Sequence, residues 1–149
     1  MIVLFLIVIF LNTFFSFSEE KESKPVTFEY VRVITDKSFE EVKDLLILYL
    51  RENDLKVWKE VNNVSEGLKY TVIYSCSEKY FSEVVSKYPR LGNIFPCKIL
   101  LKLDEEGNVT VSIINTEILL RVYRGIVPDD IIDTILENYM YIKSIIDQL

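Results

Sequence analysis

Cys76 and Cys97 are the side chains in this sequence best suited to covalent chemistry. Cys76 closes an alternating segment, Leu68 to Cys76, and stands among helix-capping residues, with Ser75, Ser77 and Glu78 around it. A helix N-terminus favours the thiolate, and Arg90 could add positive charge, so redox or sulfur-transfer chemistry is one reading. The other is a small buried residue on an apolar strand face, the usual fate of a free cysteine. A disulfide between the two is also open if the chain is exported to an oxidising compartment. If the strands flanking the intervening helix are parallel, the cysteines lie a strand length apart. That is about 20 Å, against a limit of roughly 7 Å between bridged Cα atoms. If the loop from Pro89 to Pro96 carries the chain back to the same end, the strands are antiparallel and a bridge becomes possible.

Other chemistry is thinly represented. There is no histidine, which removes the commonest general base and metal ligand. Two cysteines alone do not complete a metal site within one chain, and the four glycines are not grouped to cradle phosphate, so no metal or cofactor is expected. The acidic groups Glu40-Glu41-Asp44, Asp104-Glu105-Glu106 and Asp129-Asp130 fall at helix starts and a hairpin turn, where acids have structural work. The formal charge of −6 offers no field to gather nucleic acid. Nine tyrosines suit binding better than catalysis, and most belong in a core or an interface.

The elements that must position these residues follow from periodicity. Ile2 to Leu11 is an unbroken apolar run, followed by Ser16-Phe17-Ser18, and reads as a signal peptide over residues 1–18. The protein is therefore expected to be periplasmic or extracellular, with a membrane anchor as the alternative if the segment stays uncleaved. Residues 19–25 are a charged, flexible lead-in ending at Pro25. One domain follows over 26–149. Val26 to Ile34 reads as a strand, and Ser38 with Glu41 as a capping box opening a helix through about residue 52. Asn53-Asp54 ends that helix, Leu55 to Glu60 is a second strand, and Asn62 to Gly67 a turn. Leu68, Tyr70, Val72, Tyr74 and Cys76 form the apolar side of a third strand. A helix bearing Phe81, Val84, Val85 and Tyr88 ends at Pro89. Cys97 to Leu103 and Val109 to Ile114 form a hairpin, with Cys97, Ile99, Leu101 and Leu103 on one face. Pro128-Asp129-Asp130 opens a last helix with an apolar stripe through Ile132, Ile135, Tyr139, Ile142 and Ile146. The sum is an α+β fold, β-α-β-β-α-β-β-α, with a single mainly antiparallel sheet and helices on one face.

The run from Cys76 through a short helix to Pro89-Arg90-Leu91-Gly92-Asn93-Ile94-Phe95-Pro96-Cys97, an apolar strand, Gly107 and a second strand resembles the domain of unknown function 302 (DUF302) family. Phe95-Pro96-Cys97 stands in place of the family's "leu-Pro-Cys" element. Phe39 to Val57 is similar to its first helix and following strand, and the likeness spans about residues 28–120. Two departures stand out: Glu78 and Phe81 replace the family's proline and small residue after the first cysteine, and Asn53-Asp54 replaces its glycine. The resemblance implies an α+β fold, a homodimer and no assigned activity, and it carries over no catalytic residue.

The function expected is a non-enzymatic, exported, dimeric module that binds a small molecule or a protein. Its groove is expected between helices and sheet near the Arg90 to Cys97 loop. Cys76, Arg90, Gly92, Pro96 and Cys97 are the candidate binding or redox residues, and thiol-based redox or sulfur transfer is the alternative.

Overall fold

The computed structural model describes residues 27–65 and 68–149. The elements are β1 (Glu29–Ile34), α1 (Phe39–Glu52), β2 (Lys56–Ser65), β3 (Leu68–Cys76), α2 (Glu78–Lys87), a 3-10 helix (Pro89–Asn93), β4 (Lys98–Leu103), β5 (Val109–Ile114), α3 (Thr116–Arg121) and α4 (Asp129–Ile146). The expected order is present, with the 3-10 helix and α3 added in stretches that had no clear period. The signal peptide and lead-in read from the sequence lie outside the described residues. Among the described residues no helix is long and apolar enough to cross a membrane.

Local chemistry sets the ends of α1. The Glu41 N–H donates to the Ser38 hydroxyl at 3.3 Å, and the Glu41 carboxylate accepts the Ser38 N–H at 2.8 Å, the reciprocal capping box. At the other end, Leu55 N–H donates to the Leu50 carbonyl at 2.9 Å and Asp54 N–H to the Arg51 carbonyl at 3.2 Å. This six-to-one and five-to-two pair is the Schellman closure, with Leu50 and Leu55 both buried. It demands a left-handed residue, and Asp54 supplies it at φ 56°.

The five strands lie in the order β1-β5-β4-β3-β2, every neighbouring pair antiparallel. α1 and α4 bury Val42, Leu46, Leu50, Tyr139, Ile142 and Ile145 against Ile73, Ile99, Leu101, Val111 and Ile113 of one sheet face. Fully burying each such aliphatic side chain contributes about 2 kcal/mol. A second cluster closes the end of the sheet where β3 stops and β4 begins. There Val84 of α2, Leu91 of the 3-10 helix and Phe95 pack with Cys76, Leu120 and the first turns of α4.

Two expectations are corrected. The Asn62 to Gly67 turn begins later, because β2 runs to Ser65. Its polar residues stay extended by pairing across the sheet: Thr71 lies opposite Asn62, and its hydroxyl donates to the Asn62 amide oxygen at 2.6 Å. The parity of β3 is also reversed. Thr71, Ile73 and Ser75 face the helices and are buried, while Leu68, Tyr70, Val72 and Tyr74 occupy the opposite face. Of the helix-side polar groups, Thr71 is hydrogen-bonded and Lys69 lies over the Phe39 ring while pairing with Glu40 at 2.8 Å, whereas the buried Ser75 hydroxyl has no partner among the described residues. The chain thus places four large apolar or aromatic side chains of one strand on the face that α1 and α4 leave uncovered.

Candidate functional site

The candidate residues named from the sequence meet at the junction of β3, the 3-10 helix and β4. Because β3 and β4 are antiparallel, α2 and the 3-10 helix bring the chain back to the end it left. Cys76 and Cys97 are joined in a disulfide, with Cα atoms 4.9 Å apart, within the span such a bridge requires. Cys76 is wholly buried and Cys97 partly so. Ser77 occupies the N-cap position of α2 without making a side-chain cap bond.

Pro96 is buried and sits in the middle of a three-residue turn, in which the Cys97 N–H donates to the Phe95 carbonyl at 2.7 Å. Proline's fixed φ suits that turn. The Cys97 carbonyl then accepts the Ser75 N–H at 3.0 Å, extending the β3–β4 ladder to the bridge. Gly92 packs against α2 so closely that a Cβ there would meet Val85 Cγ2 at 3.2 Å. Arg90 is exposed and stands apart from the cavity that Gly92 and Cys97 help to line.

That cavity lies on the sheet face that α1 and α4 leave uncovered, between the strands and α2 with the 3-10 helix. Side chains opposite one another across an antiparallel sheet share a face, so the register defines its rungs. One rung runs through Glu29, Ile114, Lys98, Tyr74 and Lys59; the next through Val31, Ser112, Leu100, Val72 and Val61; the third through Val33, Thr110, Lys102, Tyr70 and Asn63. The cavity occupies much of the first two rungs and encloses about 650 Å³, within the usual range for small-molecule sites.

Its wall is aromatic. The register of β2 slips between Val57 and Lys59, and the extra residue, Trp58, packs edge-on against Phe81 of α2 with ring centroids 5.7 Å apart. Phe81 packs edge-on against Phe95 at 5.5 Å. Phe95 is anchored in the buried second cluster, directly ahead of the Pro96 turn and the disulfide. The bridge and the turn therefore fix the base of this aromatic series. Phe81, the departure from the resembled pattern, is its middle member.

Polar groups on the lining are few. Lys98 projects from β4 with its Nζ 5.8 Å from the Tyr74 ring centroid, and Ser112, nearly buried, brings a hydroxyl from β5. Glu29 stands at the β1 side and Asn93 at the end of the 3-10 helix. The titratable groups most displaced lie elsewhere. Hydrogen bonds from Lys43 and Lys69 bring Glu40 down to about 2. Burial, then the hydrogen bond to Asp147, raises Tyr30 to about 12. The three acidic groups have structural roles: Glu41 caps α1, Asp104 accepts the Glu106 and Asn108 N–H groups in the hairpin turn, and Asp129-Asp130 open α4.

Sequence reasoning missed Trp58, Lys98, Leu100 and Ser112. A bulge leaves no sequence period, so Trp58 was invisible. Leu100 did carry a signal: apolar between Ile99 and Leu101, it marks a strand whose two faces are both apolar.

A family model described as "Domain of unknown function DUF302" matches residues 31–149. An "Uncharacterized protein" of Aquifex aeolicus (strain VF5) is 32% identical over 95 residues. That match covers 64% of this chain and 65% of the relative's own length. The crystal structure of an uncharacterized conserved protein DUF302 from Bacillus stearothermophilus superposes with a TM-score of 0.69. It covers 82% of this chain and 98% of that one at 12% identity, a likeness of fold.

Proposed function

The chain belongs to the DUF302 family, and on that footing we propose that it is an exported, dimeric binding module that takes a small, largely apolar molecule in the cavity on its uncovered sheet face. One observation carries the reading: a concavity of about 650 Å³ on a sheet face, walled by the Trp58, Phe81 and Phe95 series. Aromatic side chains concentrate binding area, and apolar walls with a few placed polar groups are what small-molecule sites present.

Export is supported by the Ile2 to Leu11 apolar run and by the Cys76–Cys97 bridge, which an oxidising compartment sustains. Cleavage after Ser18 would make Glu19 the first residue, a mass that intact-protein spectrometry reads directly. The dimer is supported by the exposed apolar side chains that continue across the same face beyond the cavity, Val31 and Val33. Thiol chemistry is the weaker reading, since Cys76 is wholly buried in the bridge and no nucleophile reaches it without local opening.

Trp58 is the only tryptophan, so its fluorescence reports the cavity without a label. Titration with the neutral apolar probe N-phenyl-1-naphthylamine should quench Trp58 saturably, and Phe81→Ala should weaken that binding. Quenching that never saturates, or binding unchanged in Phe81→Ala, would remove the reading.

A further inference from the structure

We propose that the ligand is an amphipathic monoanion, a carboxylate with one apolar tail, whose acid group is held by Lys98 and Ser112 while the tail lies against Leu100, Val72 and the Trp58–Phe81 wall. This rests on the cavity being a small-molecule site. The argument is charge complementarity. Lys98 is the cation of the cavity lining, and among the described residues its ammonium has neither a carboxylate nor a hydrogen-bond partner. The lysines that do reach acids, Lys37, Lys43, Lys69, Lys87 and Lys143, all lie outside the cavity lining. Ser112 adds a hydroxyl on the neighbouring strand. The residue is only 9% exposed, its backbone is held between β1 and β4, and its hydroxyl has no hydrogen-bond partner among the described residues.

An anion binding here would gain a charge-assisted bond from Lys98 and a second donor from Ser112, beside the apolar wall. The local charge has to act at close range, because the chain as a whole carries −6.

Glu29 sets the direction of the tail. It occupies the same rung as Lys98 but two strands away, roughly 10 Å at ordinary strand spacing, and forms no ion pair with it. It repels an acid group that moves from Lys98 toward β1, which leaves the tail the opposite path, over Leu100 and Val72 to the Trp58–Phe81 wall. A second acid at that end would lie against aromatic rings with no second cation in the lining.

The test uses the folded, bridged protein and four probes below their micelle-forming concentrations: decanoate, decanol, decyltrimethylammonium and decanedioate. Binding is followed by Trp58 quenching and displacement of N-phenyl-1-naphthylamine. Decanoate should bind roughly tenfold more tightly than decanol, and more tightly than the cation or the dianion. Lys98→Gln should erase the preference for decanoate over decanol while leaving decanol unchanged, and Lys98→Arg should restore it.

If N-phenyl-1-naphthylamine binds but decanoate and decanol are equal, or Lys98→Gln changes nothing, the monoanion assignment falls and the cavity reading stands. If neither the naphthylamine nor decanoate binds, both fall. Lys98 is exposed, so its variants should keep the wild-type circular dichroism and melting temperature. A variant that does not is replaced by Lys98→Met for the same comparison.

Discussion

Asp54 shows how a single backbone angle can be isolated as a stability term. Its φ of 56° lies where a Cβ is unfavourable, by about 1 kcal/mol, while its N–H still closes the Schellman turn after α1. Asp54→Gly should therefore raise unfolding free energy by up to about 1 kcal/mol in urea titrations, with an unchanged m-value. No change would mean that the Asp side chain stabilises the turn by as much as its backbone costs.

Glu40 isolates an electrostatic term. It pairs with Lys43 on its own helix and Lys69 on β3, each at 2.8 Å, and hydrogen bonds from these two lysines lower it from 4.5 to about 2. A depressed acid contributes stability above its unfolded pKa and loses it as pH falls through the folded value. The melting-temperature difference between wild type and Glu40→Gln should be constant near neutrality and shrink between pH 4.5 and 2. Because the carboxylate is exposed, the difference should be small and should narrow in high salt. Tyr30 works in the opposite direction. Raised to about 12 by burial and its hydrogen bond to Asp147, it favours the folded state below the ordinary tyrosine value of 10.0 and loses that contribution as pH rises toward 12.

At the scale of elements, α2, the 3-10 helix and the Pro96 turn form an arm tied at its base by the disulfide. The cysteines are 21 residues apart, so closing that loop stabilises the folded state by about 3 kcal/mol in the chain-entropy account. The Cys76→Ala/Cys97→Ala double variant should lose about that much in urea unfolding, and reductant should then have no further effect. Gly92 tests the contact between the arm's two helices. Gly92→Val places its Cβ 3.2 Å from Val85 Cγ2, and should cost roughly 1–3 kcal/mol and weaken Trp58-reported binding as Phe81 is displaced.

Much of this level was legible beforehand. Capping residues, Pro128 and the stripes of α1 and α4 are local signals, and each element formed where its signal lay. The Cys76–Cys97 pairing was legible only as a condition, since it depends on whether the loop returns the chain to the same end of the sheet. That return is made by a 3-10 helix with no period of its own. The parity of β3 failed for a different reason. Alternation assigns the buried face to the more apolar side, and in β3 that side, with Tyr70, Val72 and Tyr74, is the open one, while Thr71 and Ser75 are buried beside Ile73.

Across the whole molecule, an apolar open face becomes a functional clue. A sheet covered by helices on one side and by water on the other should alternate cleanly, yet Val31, Val33, Leu100 and Ile114 are 48%, 56%, 36% and 42% exposed on the open side. The cavity accounts for Leu100 and Ile114 but not for Val31 and Val33, which lie outside its lining. A second copy packed on the β1 edge of the second and third rungs would cover them while leaving the cavity mouth to a ligand, so binding and dimerisation would use separate parts of one face. Light scattering after size exclusion should accordingly give a dimer for the wild type and a monomer for Val33→Lys. An exposed-site change of this kind should move intrinsic stability by no more than about 0.5 kcal/mol. Trp58-reported affinity for decanoate should survive in Val33→Lys if the two surfaces are independent. Should affinity collapse together with the dimer, the partner copy would be completing the cavity; a monomeric wild type would leave Val31 and Val33 without a second copy to cover them.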